Sequence, residues 1–277
     1  MTLADTLEMR QWWDHPHPAL TAADACFEIA ATIEDAIVNH PRSAQKRIGP
    51  SEIGNPCTHC LAARLAGWEK HERGIPWTTT KGTAIHFWLE HLFNQADIDR
   101  PDYAAGGYKK RWLTEQTVSV GEIDGLEITG STDLYDLWAC QTVDWKFVGA
   151  ASLKKYKTHG PSDVYRIQAH LYARGWHRAG SPCRTVSILF LPAASANWQD
   201  RYFWHEPYDE EIALAALERA SQLARTIKAL DAADPTGKTR DAWITGLDRD
   251  PNCFDCAKYD DHPAPTLNLG AGIEMDL

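Results

Sequence analysis

The sequence predicts an α/β fold in which a mixed central β-sheet is flanked by helices. Three strand-like segments, residues 112–120, 126–137 and 141–148, follow one another with only short turns between them. A helical segment then separates them from a further apolar strand, residues 185–191. This order of hairpin strands, helix and strand is typical of a sheet that packs against helices.

Length and composition allow one large domain or two small ones. The chain has 277 residues, and 44% of them are hydrophobic, which is enough to bury a core. No segment approaches the ~18 apolar residues that a membrane span needs, and the first residues lack the features of a signal peptide. We therefore expect a soluble, cytoplasmic protein with no membrane partner. Its expected parts are an N-terminal helical region (residues 1–50), the α/β core (51–232) and a C-terminal loop segment (233–277).

Apolar residues at helical spacing, together with capping residues, predict the helices. Thr21 is a favourable N-cap for a first helix, and His40-Pro41 is expected to end it. Asn55, which a proline follows, is expected to cap a second helix that Cys57 and Cys60 open. Longer helices are predicted over residues 83–95, 162–179 and 209–230.

Turn residues set the ends of the strands. Asp124-Gly125 joins the first two strands, and this pair favours a tight hairpin turn. Residues 202–204 are expected to add an edge strand before the last long helix. From Asp231 onward the chain is rich in Asp, Pro and Gly, and we expect it to be mostly loop.

The charge of the chain is unevenly distributed. The formal net charge is -10, which by itself argues against a broad phosphate-binding surface. Between Lys146 and Arg178, however, there are seven Lys or Arg residues and a single acid, Asp163. Such a run is compatible either with an ordinary solvated face or with a local surface for a nucleic-acid backbone.

One predicted strand carries an acid and a lysine on the same face. Because side chains alternate along a strand, the segment 142–148 directs Asp144 and Lys146 to one side and its apolar residues to the other. A hairpin pairing would bring Asp133, on the preceding strand, opposite Asp144. Two carboxylates held close together suit Mg²⁺ or Mn²⁺. The alternative for an isolated pair of this kind is a surface ion pair on an edge strand.

Four short motifs occur in order along the chain: Gly82-Thr83-Ala84-Ile85-His86, Gly130-Ser131-Thr132-Asp133, Asp144-Trp145-Lys146 and Gln168-Ala169-His170-Leu171-Tyr172. Together they resemble the RecB-like branch of the PD-(D/E)XK nucleases, which includes the RecB and AddB nuclease domains and the CRISPR-associated exonucleases. The resemblance covers residues 51–191 and the C-terminal cysteine pair. It implies a restriction-endonuclease-like core and a metal-dependent DNA nuclease, an exonuclease rather than an endonuclease. Such enzymes act on single strands or duplex ends in bacterial or phage recombination and repair, which makes a recombination partner protein a further expectation.

The resemblance assigns roles to individual residues. It implies that Asp133, Asp144 and Lys146 are the catalytic residues. The two acids, His86 and the backbone carbonyl of Trp145 would be the ligands of one or two Mg²⁺ or Mn²⁺ ions. In this mechanism the lysine positions the attacking water or stabilises the negative charge that builds up on the phosphate.

Two of the candidate ligands have ordinary alternatives. Glu115 lies on the strand before Asp133, where some relatives carry a glutamate near the metal, but a lone strand glutamate is commonly just exposed. His86 could instead be satisfied by Glu90, one helical turn along, which in the metal-binding interpretation would orient its ring.

The resemblance also predicts the residues that meet DNA. Gln168 and Tyr172 match a helix motif that contacts or orients the strand, and at a spacing of four they project from one face of a helix. The basic residues nearby are expected to follow the phosphate backbone. They are Lys154, Lys155, Lys157 and Arg166.

Seven cysteines, an odd number, in a chain without an export signal argue against a disulfide framework. Two CxxC pairs, Cys57/Cys60 and Cys253/Cys256, have the spacing that lets two thiolates bind one ion, and we expect both pairs to converge on one metal centre. The two pairs taken alone favour zinc, whereas the resemblance favours a [4Fe-4S] cluster, which we take as the leading expectation. Those relatives place one cysteine early and three late, so the arrangement here differs from theirs. The lone cysteines, Cys26, Cys140 and Cys183, are expected to be buried.

Two other classes of function compete with the nuclease. A DNA-binding protein without catalysis would explain the basic run, but it would not need Asp133, Asp144 and Lys146 together. A zinc-stabilised interaction module would explain the cysteines, but it would leave the acid and lysine motif without a role.

Overall fold

The computed structural model describes residues 21–39, 48–71, 74–99, 110–251 and 253–259, and the backbone of residues 266–269 and 273–276. The chain forms two compact units, Met1–Ala44 and Gln45–Leu277. Among the described residues, no helix combines the length and the apolar character that crossing a membrane requires.

The first unit contains helix α1, Ala22–Val38. The predicted cap is confirmed: the side chain of Thr21 accepts a hydrogen bond from the backbone N–H of Asp24, and the two residues form a capping box. The predicted helix end at His40-Pro41 lies outside the described residues. Cys26 is exposed, so its expected burial is wrong, because the face of the helix that carries it is open to solvent.

The second unit begins with three helices and the first three strands. They are α2 (Pro50–Ile53), α3 (Thr58–Leu65), α4 (Trp77–Ile98), β1 (Trp112–Ile123), β2 (Leu126–Asp136) and β3 (Gln141–Val148). Two helices and two further strands follow. They are α5 (Ala150–His159), α6 (Asp163–Arg178), β4 (Thr185–Pro192) and β5 (Tyr202–Pro207). The described C-terminal elements are α7 (Glu210–Ala233), α8 (Lys238–Thr245), β6 (Thr266–Leu269) and β7 (Ile273–Asp276).

The central sheet has five strands in the order β1-β2-β3-β4-β5. Neighbouring strands are antiparallel except β3 and β4, which run parallel because helices α5 and α6 carry the chain back between them. The expected α/β class with a mixed sheet and flanking helices is therefore confirmed, and it is consistent with a restriction-endonuclease-like core. The predicted turn is also confirmed, since Asp124 and Gly125 have φ values of 47° and 78°, as a tight hairpin turn requires.

The two faces of the sheet are covered by different helices. On one face, Leu89 of α4 packs in a cluster with Val143 and Trp145 of β3. On the other, α6 and α7 pack in a larger cluster that includes Val118 of β1 and Ile188 of β4. This division matches the alternation predicted for β3, because its apolar residues face α4 and its acid and lysine lie on the opposite side.

The structure differs from the predicted elements in three places. Helix α3 starts at Thr58 with Cys57 as its N-cap, because the side chain of Asn55 accepts the backbone N–H of Cys57 and forms a turn instead of capping the helix. Helix α5 was not predicted, since it buries little apolar surface, chiefly Leu153. The segment predicted to be mostly loop contains helix α8, which follows Gly237 in a left-handed conformation, and the β6–β7 hairpin.

Candidate functional site

Three carboxylates occupy neighbouring positions across three strands. In the β1–β2 register, Glu115 falls opposite Asp133, between the pairs 114–134 and 116–132. In the β2–β3 register the last pair is Leu134–Val143, so Asp133 and Asp144 stand at the next position along. The hairpin pairing predicted from the sequence is therefore present, and it continues through a third acid on β1.

Asp133 stands where strands β2 and β3 stop pairing. Its Oδ2 accepts a hydrogen bond of 2.7 Å from the backbone N–H of Trp145. The side chain thus provides the acceptor for a β3 backbone N–H that lies past the last β2–β3 pair. Its Oδ1 lies 3.3 Å from Nδ1 of His86, which comes from α4. The distance is short, but the geometry of a hydrogen bond is not met, and Nδ1 has no other described partner. Asp133 therefore faces the imidazole.

Asp144 and Lys146 form a buried ion pair. Nζ of Lys146 lies 2.5 Å from Oδ2 of Asp144, and the two side chains are 15% and 5% exposed. Burial raises the pKa of Asp144 to about 6, with a further contribution from Asp133 and against the opposing effect of the lysine. Burial disfavours the charged lysine, but Asp144 and Asp133 outweigh it and raise the lysine pKa. The site therefore holds more carboxylate than one lysine compensates.

The donor atoms of the site fit a hard divalent cation. One ligand atom each from His86, Glu115 and Asp133 lie within 4.8 Å of one another. Ser131 fixes Glu115 by donating a 2.7 Å hydrogen bond to its carboxylate. Burial opposes protonation of His86, but its pKa is raised, chiefly by Asp133. An imidazole among carboxylates is a donor set that Mg²⁺ or, better, Mn²⁺ accepts. The carbonyl of Trp145 remains a predicted ligand.

Helix α6 places two polar side chains, four residues apart, beneath the acids. Gln168 and Tyr172 are buried, and the amide Nε2 lies 3.4 Å from the tyrosine hydroxyl, to which it donates. Burial and the neighbouring charge of Asp144 raise the pKa of Tyr172. Gly130 permits this close packing, because a Cβ there would lie 2.8 Å from Pro50 and 3.0 Å from Tyr172. These two residues thus line the interior side of the site.

Sequence reasoning missed one neighbour of the lysine. Nζ of Lys146 lies 4.9 Å from the ring centroid of Tyr165, which is within the range of a cation–π contact. Tyr165 is one helical turn before Gln168, so the same helical spacing that selected Gln168 and Tyr172 could have found it. Ser131 was also missed, although it lies two residues before Asp133 and hence on the same face of the strand.

The predicted DNA-binding basic residues divide into two groups. Lys154, Lys155 and Lys157 of α5 are exposed and form no ion pair with any residue that the structure describes. Arg166 instead donates from Nε to Glu206 at 2.5 Å. The same carboxylate lies 2.6 Å from Nε2 of His170, which is fully buried. Arg166 is thus committed to a contact within the protein, while the three lysines are available to solvent.

The two CxxC pairs converge, as expected. Sγ of Cys256 lies 3.5 Å from that of Cys57 and 3.3 Å from that of Cys60, and Sγ of Cys253 lies 3.6 Å from that of Cys60. Burial raises the pKa of Cys256 to about 12 and raises that of Cys60 as well. Burial also opposes ionisation of Cys57, but the backbone N–H groups of Cys60 and Asp250 lower its pKa. Four clustered thiols, three of them buried, favour a bound cation, which lets all of them ionise.

The cysteine centre joins the start of the second unit to its C-terminal end. His59 is fully buried beside it, with Nδ1 3.7 Å from Sγ of Cys60. Its ring makes edge contacts with Trp68 and Tyr259. An ion pair of 3.1 Å between Lys70 and Asp255 adds a link across the same junction. Of the lone cysteines in this unit, Cys183 is buried as predicted and Cys140 is only half-buried, because it lies in the β2–β3 turn.

Comparison with known proteins gives structural likeness only. No family model matches the chain, and no curated protein matches it. Among solved structures, the protein SSO0001 is 14% identical, with a TM-score of 0.45, over 70% of this chain and 86% of that one. A phage-related exonuclease from Haemophilus somnus is 16% identical, with a TM-score of 0.37, over 61% and 77% of the two chains. A candidate exonuclease from Eubacterium rectale is 13% identical, with a TM-score of 0.42, over 93% and 100%.

Proposed function

We propose that this protein is a metal-dependent nuclease that hydrolyses phosphodiester bonds in DNA. The observation that carries the proposal is the convergence of His86, Glu115 and Asp133 beside the buried pair of Asp144 and Lys146. A surface ion pair would stand in solvent, whereas this cluster is withdrawn from it. Burying several charges costs several kcal/mol unless a cation or close hydrogen bonds compensate them. Such a cluster is therefore typical of a functional site.

In this proposal the acids, the imidazole and one carbonyl hold one or two Mg²⁺ or Mn²⁺ ions. The ligands are Asp133, Asp144, His86, the carbonyl of Trp145 and, as a further ligand, Glu115. When bound, such ions shield the anionic phosphodiester, lower the pKa of a coordinated water and stabilise the departing oxygen. The protein contributes fixed ligand directions: the backbone N–H of Trp145 anchors Asp133, and Asp133 in turn faces the imidazole of His86.

Lys146 supplies a positive charge that does not depend on a metal. Asp144 and the ring of Tyr165 fix its ammonium group on two sides, so little side-chain entropy is lost when a phosphate arrives. From this position the ammonium group orients the attacking water or stabilises the negative charge that builds up on the phosphate. Its donors are preorganised, which is the condition for electrostatic catalysis to be effective.

The DNA strand is expected to pass along α5 into the site. The exposed lysines of this helix, Lys154, Lys155 and Lys157, follow directly from the strand that carries Asp144, so they suit the phosphate backbone next to the cleaved bond. Gln168 and Tyr172 are buried, and we propose that they hold the acids in position from the interior side of the site. Arg166 fixes the same helix, α6, to strand β5 through its contact with Glu206.

The sequence resemblance extends the proposal to an exonuclease of DNA recombination or repair that acts on single strands or duplex ends and with a partner protein. The cysteine centre then has a structural role. Its ligands are Cys57, Cys60, Cys253 and Cys256, and its candidate occupants are a [4Fe-4S] cluster and zinc.

The direct test is incubation of the protein with end-labelled linear DNA and with closed circular DNA, in Mg²⁺, in Mn²⁺ and with a chelator. We expect loss of the labelled end in either metal, no loss with the chelator, and survival of the closed circles. Cleavage of the circles would contradict an exonuclease but retain the nuclease. DNA binding without cleavage under all conditions would indicate the non-catalytic alternative. Absence of both binding and cleavage would favour the zinc-stabilised interaction module.

A further inference from the structure

We propose that the cysteine centre binds one tetrahedral metal ion, zinc, and not the four-iron cluster that the sequence resemblance implies. The sulfur atoms of Cys60 and Cys256 are 3.3 Å apart, those of Cys57 and Cys256 3.5 Å, and those of Cys60 and Cys253 3.6 Å. Four ligands at the Zn–S distance of about 2.3 Å stand about 3.8 Å from one another in a regular tetrahedron. These three sulfur contacts are therefore as close as those between ligands of a single ion.

A four-iron cluster needs a wider cage. Each of its four cysteines binds a different iron, so the sulfurs lie outside the corners of the cluster and cannot be in contact with one another. Here Cys60 is in sulfur contact with both cysteines of the C-terminal pair. Opening this cage would require the start of α3 to move away from the C-terminal segment. The contacts that hold the two together would then break, including that between the backbone N–H of His59 and the carbonyl of Asp248.

The surroundings suit a compact anionic centre. Zinc with four thiolates carries two negative charges, and positive groups stand close to it. Arg219 of α7 donates to the carbonyls of Asn55 and Pro56, directly before Cys57. The backbone N–H of Cys60, in the first turn of α3, faces the sulfur of the same cysteine. Apolar residues close the remaining sides, among them Ile227 and Ile244.

The fourth ligand position has two candidates. Cys57, Cys60 and Cys256 are buried, and one ring nitrogen of His59 lies within 4.8 Å of all three sulfurs. Cys253 is half-buried and stands outside this group of mutually close ligand atoms, but its sulfur lies 3.6 Å from that of Cys60 and it completes the second CxxC pair. The inference assigns the fourth ligand to Cys253 and leaves His59 to pack against the centre through its ring contacts with Trp68 and Tyr259.

The first experiment is purification of the full chain under anaerobic conditions without added metal, followed by metal analysis and a visible spectrum. We expect colourless protein with about one zinc per chain, the content of a single four-cysteine site. Brown protein that contains iron and inorganic sulfide would overturn the inference, and so would protein that contains neither metal. The outcome does not depend on whether the protein cleaves DNA.

The second experiment uses variants and Co²⁺, whose spectrum reports its ligands. Cys60→Ser should lose most of the bound zinc, whereas Cys183→Ser, a buried cysteine away from the centre, should retain it. In the Co²⁺-substituted protein, His59→Gln should leave the thiolate-to-metal absorption and the ligand-field bands unchanged, and Cys253→Ser should weaken the absorption. If His59→Gln shifts the bands and Cys253→Ser does not, the assignment of the fourth ligand to Cys253 is overturned.

Discussion

At the scale of single residues, the site is organised around an imbalance of charge. Asp133 and Asp144 are both buried, and Lys146 is in contact with the second of them. Because burial and mutual repulsion raise the pKa of Asp144, the cluster gains stability from any cation that enters it. A divalent ion is the proposed occupant, and the arrangement makes each acid separately testable.

Replacing Asp133 or Asp144 by Asn should stop DNA cleavage. Each substitution removes a charged metal ligand while keeping the shape of the side chain, so the rate should fall on the order of 10²-fold or more. Cleavage of labelled DNA in Mg²⁺ measures the rate, and fluorescence anisotropy measures DNA binding, which should be retained. Glu127→Gln, on the exposed part of the same strand β2, is the control and should cleave normally. Normal cleavage by either Asn variant would contradict the site.

Tyr165 should act as a positioning residue for Lys146. A cation–π contact contributes about 0.5–2 kcal/mol, so Tyr165→Leu should lower kcat by roughly twofold to thirtyfold while leaving KM nearly unchanged. Tyr165→Phe keeps the ring and should restore most of the rate. Steady-state kinetics on a short labelled oligonucleotide distinguish the two. Equal losses in both variants would assign the effect to the hydroxyl group instead of the ring.

At the scale of elements, two helices depend on glycine for different reasons. Gly175 lies where α6 crosses β1, and a Cβ there would stand 2.4 Å from Cγ2 of Val118, a branched side chain with little freedom to move. Gly82 lies in the interior of α4, and a Cβ there would meet nothing within 4 Å. The two positions form a matched pair for measuring close packing.

Gly175→Ala should destabilise the protein and Gly82→Ala should not. Overpacking costs about 1–3 kcal/mol, and the gain in helix propensity offsets at most about 1 kcal/mol of that cost. At Gly82 the propensity gain is unopposed, so the free energy of unfolding should rise by up to about 1 kcal/mol. Urea denaturation with unchanged m-values measures both. Similar effects at the two positions would contradict the packing of α6 on β1.

Helix α5 is the element expected to bind the DNA backbone. Neutralising Lys154, Lys155 and Lys157 together should weaken DNA binding and reduce the slope of log affinity against log salt by about 2 to 3, since each lost phosphate contact removes about 0.7–0.9. Titrations at several salt concentrations measure the slope. A control that neutralises three basic residues of α7 and α8 should leave it unchanged; these are Arg225, Lys228 and Lys238. An equal change in the control would place the DNA elsewhere.

At the scale of the whole molecule, the cysteine centre closes the second unit on itself. Cys57 and Cys256 are 199 residues apart, and between them lie the whole sheet and most of the helices. A link over so long a loop restricts the unfolded chain strongly, and metal binding adds its free energy to folding. The centre therefore acts on the stability of the entire unit and not on one element.

Removing the metal should accordingly lower stability before it affects chemistry. Cys256→Ser, or treatment with a strong chelator that is then removed and replaced by excess Mg²⁺, should lower the melting temperature of the protein, and activity measured in Mg²⁺ well below the new Tm should be largely retained. Calorimetry and cleavage assays on the same samples compare the two effects. Loss of cleavage with an unchanged Tm would mean that the cysteine centre takes part in the reaction.

The sequence by itself predicted most of the elements and marked the residues of the candidate site. Period-2 alternation assigned Asp144 and Lys146 to one face of β3, and the turn at Asp124-Gly125 fixed the first hairpin, because both patterns are local properties of the backbone. The CxxC spacings marked both cysteine pairs for the same reason. Helix α5, by contrast, buries little beyond Leu153, so its apolar pattern was too weak to predict it.

Only the tertiary structure decided what these residues meet. The register of β1 against β2 set Glu115 beside Asp133, and packing across the sheet directed Arg166 to Glu206 and Tyr165 to Lys146. The close sulfur separations that favour one zinc ion over a four-iron cluster likewise arise from contacts nearly 200 residues apart. Distances of this kind depend on how all elements pack at once, and no local pattern along the chain encodes them.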